Sequence, residues 1–397
     1  MSKYALRAVV CSSPLLDEET QALDEFLEEN LKTGRLHESK SLWASPFFFV
    51  KKKDGRLHPV QDYHQLNALT KKNRTPLPLI SETIDRLKEA KYFSKMDVRW
   101  GFNNVRIVDG DQEKAVFLTK WGLFEPTIMF FGLTNSPATF QTMMNHILHP
   151  LIKQGKVLIY MDDIIVFTKT IDEHRKVTHE VLKILRENNL FLKPEKCEFE
   201  KTTIEYLGVV VSHNLLAVDP IKAAAIREWP TPRKLKEVHE FTGFLNFYHR
   251  FILNFSRIAR PLYDLTKKGE PWAWTPARDE AFQQLKNLIS NTPILRLAND
   301  YGHFRIEADA CGYATGAVLL QEQEGLYQLI AFYSKSLTDV ECNYQIHDRE
   351  MLAIMRALWC YSLRHCHFCI AKMGTANQPG FLIPLTKTLK LAIQRDL

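Results

Sequence analysis

The stretch that decides the fold is "VLIYMDDIIVF", residues 157–167, an apolar run interrupted by two adjacent carboxylates. Both "VLIY" and "IIVF" are rich in β-branched and aromatic residues, which favour strands, and only "MDD" separates them. That spacing predicts a tight β-hairpin with Asp162 and Asp163 at its turn. Carboxylates among apolar residues are costly unless they are paired or bind a metal. The alternative interpretation is an aspartate pair that simply caps a surface turn.

A third carboxylate favours the metal interpretation. The segment "KYFSKMDVRWGF", residues 91–102, predicts a second strand, which carries Asp97. Three carboxylates that converge from adjacent strands make an oxygen-only ligand set, which Mg²⁺ prefers. Two such ions about 4 Å apart commonly activate the attacking and leaving oxygens of a phosphoryl transfer. We therefore predict that Asp97, Asp162 and Asp163 bind two Mg²⁺ ions, with Mn²⁺ as an alternative.

Composition narrows the class of protein. The chain has 397 residues, of which 45% are hydrophobic and 25% charged, which predicts two or more globular units and argues against wholesale disorder. Its net charge of +6 is compatible with a nucleic-acid partner. The 7 cysteines are scattered and indicate reduced thiols. Apolar runs are too short to span a membrane, and no signal peptide is visible. We expect a soluble intracellular chain, in the cytoplasm or the nucleus.

Periodicity gives a coarse order of elements along the chain. It predicts helices at residues 17–33, 137–152 and 171–188, and strands at residues 92–98 and 204–212. It also predicts hairpins at residues 46–67 and 157–167. From about residue 218 the pattern is helical, with a break at Pro230 and Pro232. A second αβ unit, with three short strands and then a helix, begins near residue 301.

Six blocks around "YMDD" (160–163) appear in a characteristic order, namely "SPFFFVKKKDGRLHPVQDYHQLN", "TPLPLI", "FSKMDVRWGFNNVRI", "FFGLTNSPATFQ", "LKPEKCEF" and "IEYLGVVVS". Together they resemble the reverse transcriptase region of a gypsy-type long-terminal-repeat retrotransposon polyprotein. The resemblance implies an α+β right-hand polymerase with fingers, a palm with an antiparallel sheet and a helical thumb. We predict an N-terminal extension, fingers and palm at 1–217, thumb and connection at 218–300, and a partial ribonuclease H-like α/β domain at 301–358. The tail at 359–397 is unmatched and is a candidate remnant of an integrase zinc module.

The resemblance also implies roles for residues around the incoming nucleotide. Phe102 matches the aromatic steric gate beneath the sugar, although a plain core phenylalanine has the same pattern. The family grips the triphosphate with basic residues on the fingers hairpin, which here are Lys51, Lys52 and Lys53. A solvated charge run is the alternative for them. Lys196 is a candidate proton donor to pyrophosphate, and Gly132 and Pro137 match the segment that flanks nucleotide and template.

Two further segments match nucleic-acid contacts of the family. The first is the primer grip, at Tyr206, Leu207 and Gly208. The second is a thumb helix that follows the minor groove, whose face here is Gly243, Asn246 and Phe247. A glycine permits close backbone approach, and an aromatic ring offers a flat contact to a base or sugar. An ordinary amphipathic core helix is the alternative interpretation of the second segment.

Two positions depart from the family pattern, since His58 and His64 stand where the family usually has arginine. The first of those arginines contacts the incoming triphosphate. A mostly neutral imidazole cannot make a forked bond to phosphate. We therefore expect nucleotide affinity to be reduced about tenfold or more unless the neighbouring lysines compensate.

"FRIEADACGYATGAVLLQ" and "NYQIHDREMLAIMRAL" resemble the first half of a ribonuclease H domain, with Asp309 and Glu350 as its first two catalytic carboxylates. The family needs a third carboxylate on a later strand, but the single acid after Glu350 is Asp396. We therefore predict an inactive remnant that lacks the rest of its sheet and leaves a strand edge unpaired. Cys366 and Cys369 have the spacing of half a zinc module, but His365 and His367 are wrongly placed for one.

These observations predict an RNA-directed DNA polymerase that uses an RNA template, a DNA primer, RNA–DNA hybrids and dNTPs. The alternative is a catalytically decayed, nucleic-acid-binding relic of a retroelement. The relic is favoured by His58, His64 and the unmatched tail at 359–397. The enzyme is favoured by Asp97, Phe102 and "YMDD". An RNA polymerase with a related palm is disfavoured because Phe102 would exclude ribonucleotides.

Overall fold

The structure is a computed structural model that describes residues 17–51, 55 and 57–361, and the backbone of 368–372 and 382–383. The chain forms two compact units. Described residues of 17–83 and 92–201 make up the first unit, and those of 84–91 and from 202 onward make up the second. Within the described ranges, no helix is both long and apolar enough to cross a membrane.

The first unit contains most of the elements predicted for its part of the chain. Its helices are α1 (Asp17–Lys32), α2 (His64–Leu69), α3 (Ile80–Asp85, which leads into the second unit), α4 (Ser136–Ile147), α5 (His149–Lys153) and α6 (Ile171–Glu187). Its strands are β1 (Leu36–Glu38), β2 (Ser45–Lys51), β3 (Leu57–Gln61), β4 (Tyr92–Asp97), β5 (Phe117–Thr119), β6 (Gly122–Pro126), β7 (Val157–Tyr160), β8 (Asp163–Thr168) and β9 (Glu198–Lys201).

Two sheets organise this unit. One is antiparallel, in the order β7-β8-β4-β9, and α4, α5 and α6 pack against it. Its apolar strands are buried on both faces, since Ile164, Ile165 and Val166 are each 0% exposed. The second sheet has the order β1-β6-β5-β2-β3, and α1 covers an aromatic core that includes Phe47 and Phe117. The β2–β3 pairing confirms the predicted fingers hairpin.

One predicted helix is divided in the structure. Residues 137–152 were expected to form a single helix, but α4 ends at Ile147 and α5 begins at His149. Pro150 lies in the first turn of α5. A proline inside a continuous helix would remove a backbone donor and clash with the preceding turn, so the chain restarts the helix there.

The second unit contains helices and two sheets. Its helices are α7 (Pro220–Arg227), α8 (Leu235–Phe247), α9 (Phe255–Leu265), α10 (Pro276–Ser290), α11 (Asp339–Cys342) and α12 (Ile346–Cys360). Its strands are β10 (Thr203–Tyr206), β11 (Val209–Ser212), β12 (Leu215–Val218), β13 (Leu295–Arg296), β14 (Phe304–Ala310), β15 (Ala314–Gln323), β16 (Leu326–Ser336), β17 (Phe368–Lys372) and β18 (Leu382–Ile383).

Two sequence-based expectations about these strands were wrong. Residues 204–212 form a hairpin, β10–β11, and not one strand. The chain reverses at Leu207 and Gly208, whose φ angles of 49° and 83° are the left-handed values that a two-residue hairpin turn requires. The ribonuclease H-like sheet is also more complete than expected: its order is β16-β15-β14-β17-β18, and β17 pairs in parallel with the edge of β14.

A buried polar cluster joins α6 to the sheet of β7, β8, β4 and β9. The His174 imidazole is 0% exposed, and its Nε2 and Nδ1 lie 2.7 Å from Ser94 Oγ and 3.1 Å from Thr168 Oγ1. The Tyr92 ring packs nearby, and Glu200 is the charged group that acts on the imidazole. Burial lowers the pKa of His174, although the Glu200 carboxylate opposes that shift. Protonation of this ring therefore opposes folding.

We expect acid to destabilise the protein partly through His174. The unfolded chain takes up a proton near pH 6.5 while the folded chain resists it, so this contribution to the free energy of unfolding falls as the pH drops below about 6.5. Urea unfolding between pH 7 and pH 5 should show a shallower decline for His174→Asn than for wild type. His179→Asn, an exposed site on the same helix, should keep the wild-type decline. Equal declines for both variants would contradict this assignment.

Candidate active site

The tip of the β7–β8 hairpin is a two-residue turn. Tyr160 pairs with Asp163 across the hairpin, which leaves Met161 and Asp162 to make the connection. Met161 has a φ of 53°, the left-handed conformation of such turns. The hairpin is confirmed, with one refinement: Asp162 lies in the turn, whereas Asp163 is the first residue of β8.

Backbone pairing brings Asp97 next to this tip. Asp97 ends β4 and is the direct cross-strand partner of Asp163. Side chains of directly opposed residues in an antiparallel pair lie on the same face of the sheet. The amide of Val98 donates a 2.9 Å bond to the carbonyl of Asp162, which ties the turn to the end of β4. The three predicted carboxylates therefore come from adjacent positions of one sheet.

Burial and a neighbouring negative charge disfavour the ionised form of Asp162 and of Asp163. Burial is the largest cause that raises the pKa of Asp162 and of Asp163, and repulsion from Asp97 adds to both shifts. Lys193 opposes the shift at Asp162. Asp162 Oδ1 is also buried and accepts no hydrogen bond from the described residues. The ammonium groups of Lys95 and Lys196 also oppose these shifts, but they do not reverse the effect of burial.

Two lysines neutralise the third carboxylate. Lys193 Nζ lies 2.6 Å from Asp97 Oδ1, and Lys196 Nζ lies 3.3 Å from Asp97 Oδ2. A single turn of 3-10 helix, Pro194–Lys196, places the two side chains on the same carboxylate. Sequence reasoning singled out Lys196 and missed Lys193. The available signal was the spacing in "LKPEKC", which puts two lysines three residues apart.

These ion pairs affect how ready the site is for metal. Within the described ranges, no three Asp, Glu, His or Cys side chains are gathered closely enough to hold an ion in this conformation. Asp97 is directed to Lys193 and Lys196. The donor set is nevertheless all carboxylate oxygen, and Asp162 has an unsatisfied buried oxygen. Both properties fit a hard divalent cation such as Mg²⁺.

Gln141, on α4, supports the hairpin tip from behind and was missed in the sequence. Its side chain is 0% exposed. Gln141 Nε2 donates to the carbonyl of Ile159 at 3.1 Å, and its Oε1 accepts from the amide of Met161 at 2.8 Å. A buried amide with both ends bonded to one turn defines that turn's conformation. Gln141 therefore positions the residue next to Asp162.

We expect Gln141→Leu to lower kcat for primer extension by about tenfold to a hundredfold, because the Met161 amide loses its acceptor and the tip can shift. Single-turnover nucleotide addition measures this effect. His146→Leu, an exposed position on the same helix, should leave kcat unchanged. An unchanged rate for Gln141→Leu in a folded protein would mean that the tip is held by its own strands alone.

Phe102 lies beside the carboxylates but is mostly buried. It is 7% exposed, and its ring centroid lies 5.1 Å from that of Phe131 and 5.8 Å from that of Phe140. The preceding residue, Gly101, packs so closely on Asp162 that an added Cβ would lie 2.6 Å from the carboxylate. Phe102 is thus a member of the palm core immediately next to the acidic corner. The steric-gate role stays a prediction.

The basic residues predicted on the fingers hairpin are covered in part. Lys51 is exposed at the end of β2, whereas Lys52 and Lys53 lie outside the described residues. His58, opposite Val50 on β3, meets the half-exposed Phe131 edge to face at 6.2 Å. His64 contacts the Asp62 carboxylate. Their predicted effect on nucleotide affinity stays a prediction.

The predicted primer-grip residues differ in exposure. Tyr206 was expected to touch nucleic acid, but its side chain is 0% exposed and cannot do so from this position. Because β10 alternates, Ile204 and Tyr206 face the core while Glu205 faces out. Leu207 and Gly208 form the partly exposed turn that follows. They stay predicted contacts.

The thumb-helix prediction agrees with the exposure pattern of α8. Gly243 and Asn246 are exposed, and Phe247 is partly exposed on the same side. Phe241 and Leu245 point the other way and are buried. The helix is therefore amphipathic, as both sequence interpretations required, and the predicted contact residues lie on its outer face.

The ribonuclease H-like acids lie on the expected elements. Asp309 is exposed near the end of β14, and Glu350 is partly exposed on α12. The added strand β17 reads "FCIAK" and contains no acid. Its neighbour Cys366 lies outside the described residues, and only the backbone of Cys369 is described, so the zinc prediction stays a prediction.

Comparison with known proteins agrees with this architecture. Residues 50–211 match the family model described as reverse transcriptase (RNA-dependent DNA polymerase). Residues 274–370 match the model described as an RNase H-like domain found in reverse transcriptase, which extends beyond the predicted limit at Leu358.

The chain is also similar to retrotransposon polyproteins. The chain is 33% identical over 353 residues to the transposon Tf2-3 and Tf2-4 polyproteins of Schizosaccharomyces pombe, an overlap of 89% of this chain. That overlap spans 26% of each polyprotein, about a quarter of its length.

A foamy viral protease-reverse transcriptase in complex with double-stranded DNA shares the fold, with a TM-score of 0.78, 23% identity, and coverage of 88% of this chain and 73% of that one. Its counterpart in complex with an RNA/DNA hybrid gives a TM-score of 0.76 at 23% identity, over 88% of this chain and 47% of that one. The α+β polymerase fold predicted from the sequence is confirmed. Residues 50–211 therefore carry a reverse transcriptase domain and residues 274–370 an RNase H-like domain of the kind found in reverse transcriptases, and the resemblance to gypsy-type retrotransposon polyproteins is confirmed.

Proposed function

We propose that this chain is an RNA-directed DNA polymerase that adds deoxynucleotides to a primer by two-metal chemistry. The observation that carries the proposal is the acidic corner, where Asp97 and Asp163 are cross-strand partners and Asp162 occupies the adjoining turn. Bound divalent ions would activate the primer 3′-hydroxyl and stabilise the leaving oxygen of the α-phosphate. Asp97 and Asp162 would hold them, with Asp163 in support.

Other side chains at the corner prepare the site for a polyanion. Lys193 and Lys196 bond to the Asp97 carboxylate. With Asp97 engaged in metal binding, the two ammonium groups would be available to the triphosphate and to the departing pyrophosphate. Lys196 remains our candidate proton donor, with Lys193 as its neighbour. Phe102 would meet the sugar and reject a 2′-hydroxyl by contact.

The proposed substrates are an RNA or DNA template, a DNA primer and dNTPs. Two foamy viral neighbours were solved with double-stranded DNA and with an RNA/DNA hybrid, which supports nucleic-acid partners for the shared fold. Binding would depend strongly on salt, because phosphate contacts release counterions.

Primer extension tests the proposal against the decayed-relic alternative. The purified chain is given a labelled DNA primer on an RNA template, four dNTPs and Mg²⁺. Extended products that vanish with EDTA support the polymerase. Hybrid binding without any extension, in Mg²⁺ or in Mn²⁺, would favour the relic, which His58 and His64 already suggest.

We also propose that the ribonuclease H-like part is catalytically inactive. Two of the family's carboxylates are present, Asp309 and Glu350, but a two-metal hydrolase needs further ligands from a neighbouring strand. In this chain the strand that follows α12 and pairs in parallel with β14 is β17, which contains no acid. A pair of carboxylates alone leaves the metals under-coordinated.

We therefore expect no cleavage of a labelled RNA strand in an RNA/DNA hybrid, in Mg²⁺ or Mn²⁺, under conditions that support binding. Glu350→Gln serves as the matched control, since contaminating nucleases act equally in both preparations. Cleavage by wild type that disappears in Glu350→Gln would overturn this expectation.

A further inference from the structure

The turn of the β10–β11 hairpin and the C-terminal end of α8 are in contact within the second unit. Gly208 lies against two consecutive α8-end aromatics: a Cβ built on it would lie 3.0 Å from Tyr248 Oη and 3.7 Å from Phe247 Cε1. These two segments are the ones that sequence comparison assigned separately to primer grip and thumb. Their contact raises the question of what holds them together.

Tyr248 makes the connecting hydrogen bond. Its hydroxyl donates to the carbonyl of Gly208 at 3.0 Å, while the residue itself is 2% exposed. The ring is enclosed by Phe244, Phe247 and Phe251, with centroid distances of 5.6, 4.8 and 6.3 Å. A ring packed on three sides has little rotamer freedom, so its hydroxyl is directed at a fixed point.

The turn can receive this bond only with a glycine at its second position. Gly208 has a φ of 83°, which side chains with a Cβ rarely adopt. The same missing Cβ opens the space that the Tyr248 hydroxyl occupies. Both the backbone conformation and the close approach of the Tyr248 hydroxyl therefore require a glycine at position 208.

We propose that Tyr248 is a positioning residue that fastens the Leu207–Gly208 turn to α8, so that this turn and the outer face of α8 present one continuous surface to the primer–template duplex. That face consists of Gly243, Asn246 and Phe247. The proposal rests on the proposed function for its ligand. It adds that the Leu207–Gly208 turn and α8, the two segments predicted to contact nucleic acid, move as one rigid body. The hydrogen bond from the buried Tyr248 hydroxyl holds them together.

The chemistry of the hydroxyl supports a permanent donor. Burial, together with the nearby Asp219 and Glu205 carboxylates, raises the pKa of Tyr248 to about 12. The phenol therefore keeps its proton at every pH at which a polymerase is assayed. The fastening should not respond to pH in that range.

The test compares Tyr248→Phe with Tyr263→Phe. The first removes the hydroxyl and keeps the packed ring. The second removes a half-buried hydroxyl on α9 that makes no hydrogen bond with the described residues. Fluorescence anisotropy with a labelled RNA/DNA hybrid should show about a fivefold to tenfold rise in Kd for Tyr248→Phe and none for Tyr263→Phe. Single-turnover kcat on saturating hybrid should change by less than about twofold.

A double-mutant cycle with Gly208→Ala isolates the fastening. The added methyl group strains the turn in any background, but it meets the Tyr248 hydroxyl only when that hydroxyl is present. Gly208→Ala should therefore raise Kd clearly more in the wild-type background than in Tyr248→Phe. Effects that simply multiply, or a Tyr248→Phe protein with wild-type Kd, would overturn the proposal.

Binding is measured without chemistry, so the outcome is separate from that of primer extension. A chain that binds hybrid but extends no primer would still report on Tyr248. Melting temperatures of all variants show whether a change in Kd follows from unfolding, since a purely structural role would lower the melting temperature and leave the Kd of the folded fraction unchanged.

Discussion

Asp162→Asn is expected to lower kcat for primer extension by about a thousandfold or more. The substitution keeps the size of the side chain but removes one of the charges that would hold the divalent ions, and metal stabilisation of the transition state contributes several kcal/mol. The expectation rests on the proposed metal site and on Asp162 Oδ1, which is buried and accepts no hydrogen bond from the described residues. Single-nucleotide addition on an RNA template, with Asp172→Asn on the exposed start of α6 as control, measures the loss.

The same substitution should not destabilise the metal-free protein. Burial raises the pKa of Asp162 in the folded state, so its ionised form opposes folding at neutral pH. The sign follows from linkage: this contribution to the free energy of unfolding falls as the pH rises through the window above the ordinary value of 3.8. Asn has no such charge. Urea unfolding at pH 7 in EDTA should find Asp162→Asn at least as stable as wild type.

Together these two measurements separate catalysis from folding. An inactive but stable Asp162→Asn protein supports the assignment of Asp162 as a metal ligand. Activity within tenfold of wild type would contradict it. A variant that is both inactive and unfolded would show that the carboxylate has a structural role that its surroundings do not reveal.

Phe102→Val is expected to reduce discrimination against ribonucleotides by about a hundredfold, because the smaller side chain leaves room for a 2′-hydroxyl. The ratio of kcat/KM for dCTP to that for CTP, opposite guanine, measures the effect. The expectation rests on the position of Phe102 directly after Gly101, where an added Cβ would lie 2.6 Å from Asp162 Oδ1.

The burial of Phe102 calls for a control on stability. Its contacts with Phe131 and Phe140 mean that truncation leaves a cavity, which costs about 1–3 kcal/mol of stability. Phe140→Val makes a comparable cavity in the same cluster. It should destabilise the protein similarly and leave the ribonucleotide ratio unchanged. A change of equal size in both variants would identify Phe102 as a core residue only.

Much of the local structure can be predicted from short stretches of sequence. The β7–β8 hairpin follows from two apolar β-type runs around three residues, and α6 follows from its amphipathic spacing. Such features depend on neighbours along the chain, so residue type and spacing suffice to predict them.

The errors arise where distant packing overrides local pattern. The run of residues 204–212 looks like one strand, but the chain turns back at Leu207 and Gly208, where the Tyr248 hydroxyl donates a hydrogen bond to the Gly208 carbonyl. The sequence suggests that Tyr206 is a surface aromatic, but packing against the core of its sheet buries it. The edge of β14 seemed open until a strand more than fifty residues further on paired with it.

By itself, then, the sequence determined the proposed chemistry of this protein, namely three carboxylates on two strands, a hairpin tip, and the order of motifs that is typical of a reverse transcriptase. Only the tertiary structure decided the supports of that chemistry. Gln141 on the tip, Lys193 on Asp97 and Tyr248 on the Gly208 turn are each distant in sequence from what they bond. Such bonds form because the fold brings their partners within about 3 Å, a relation that no periodicity along the chain encodes.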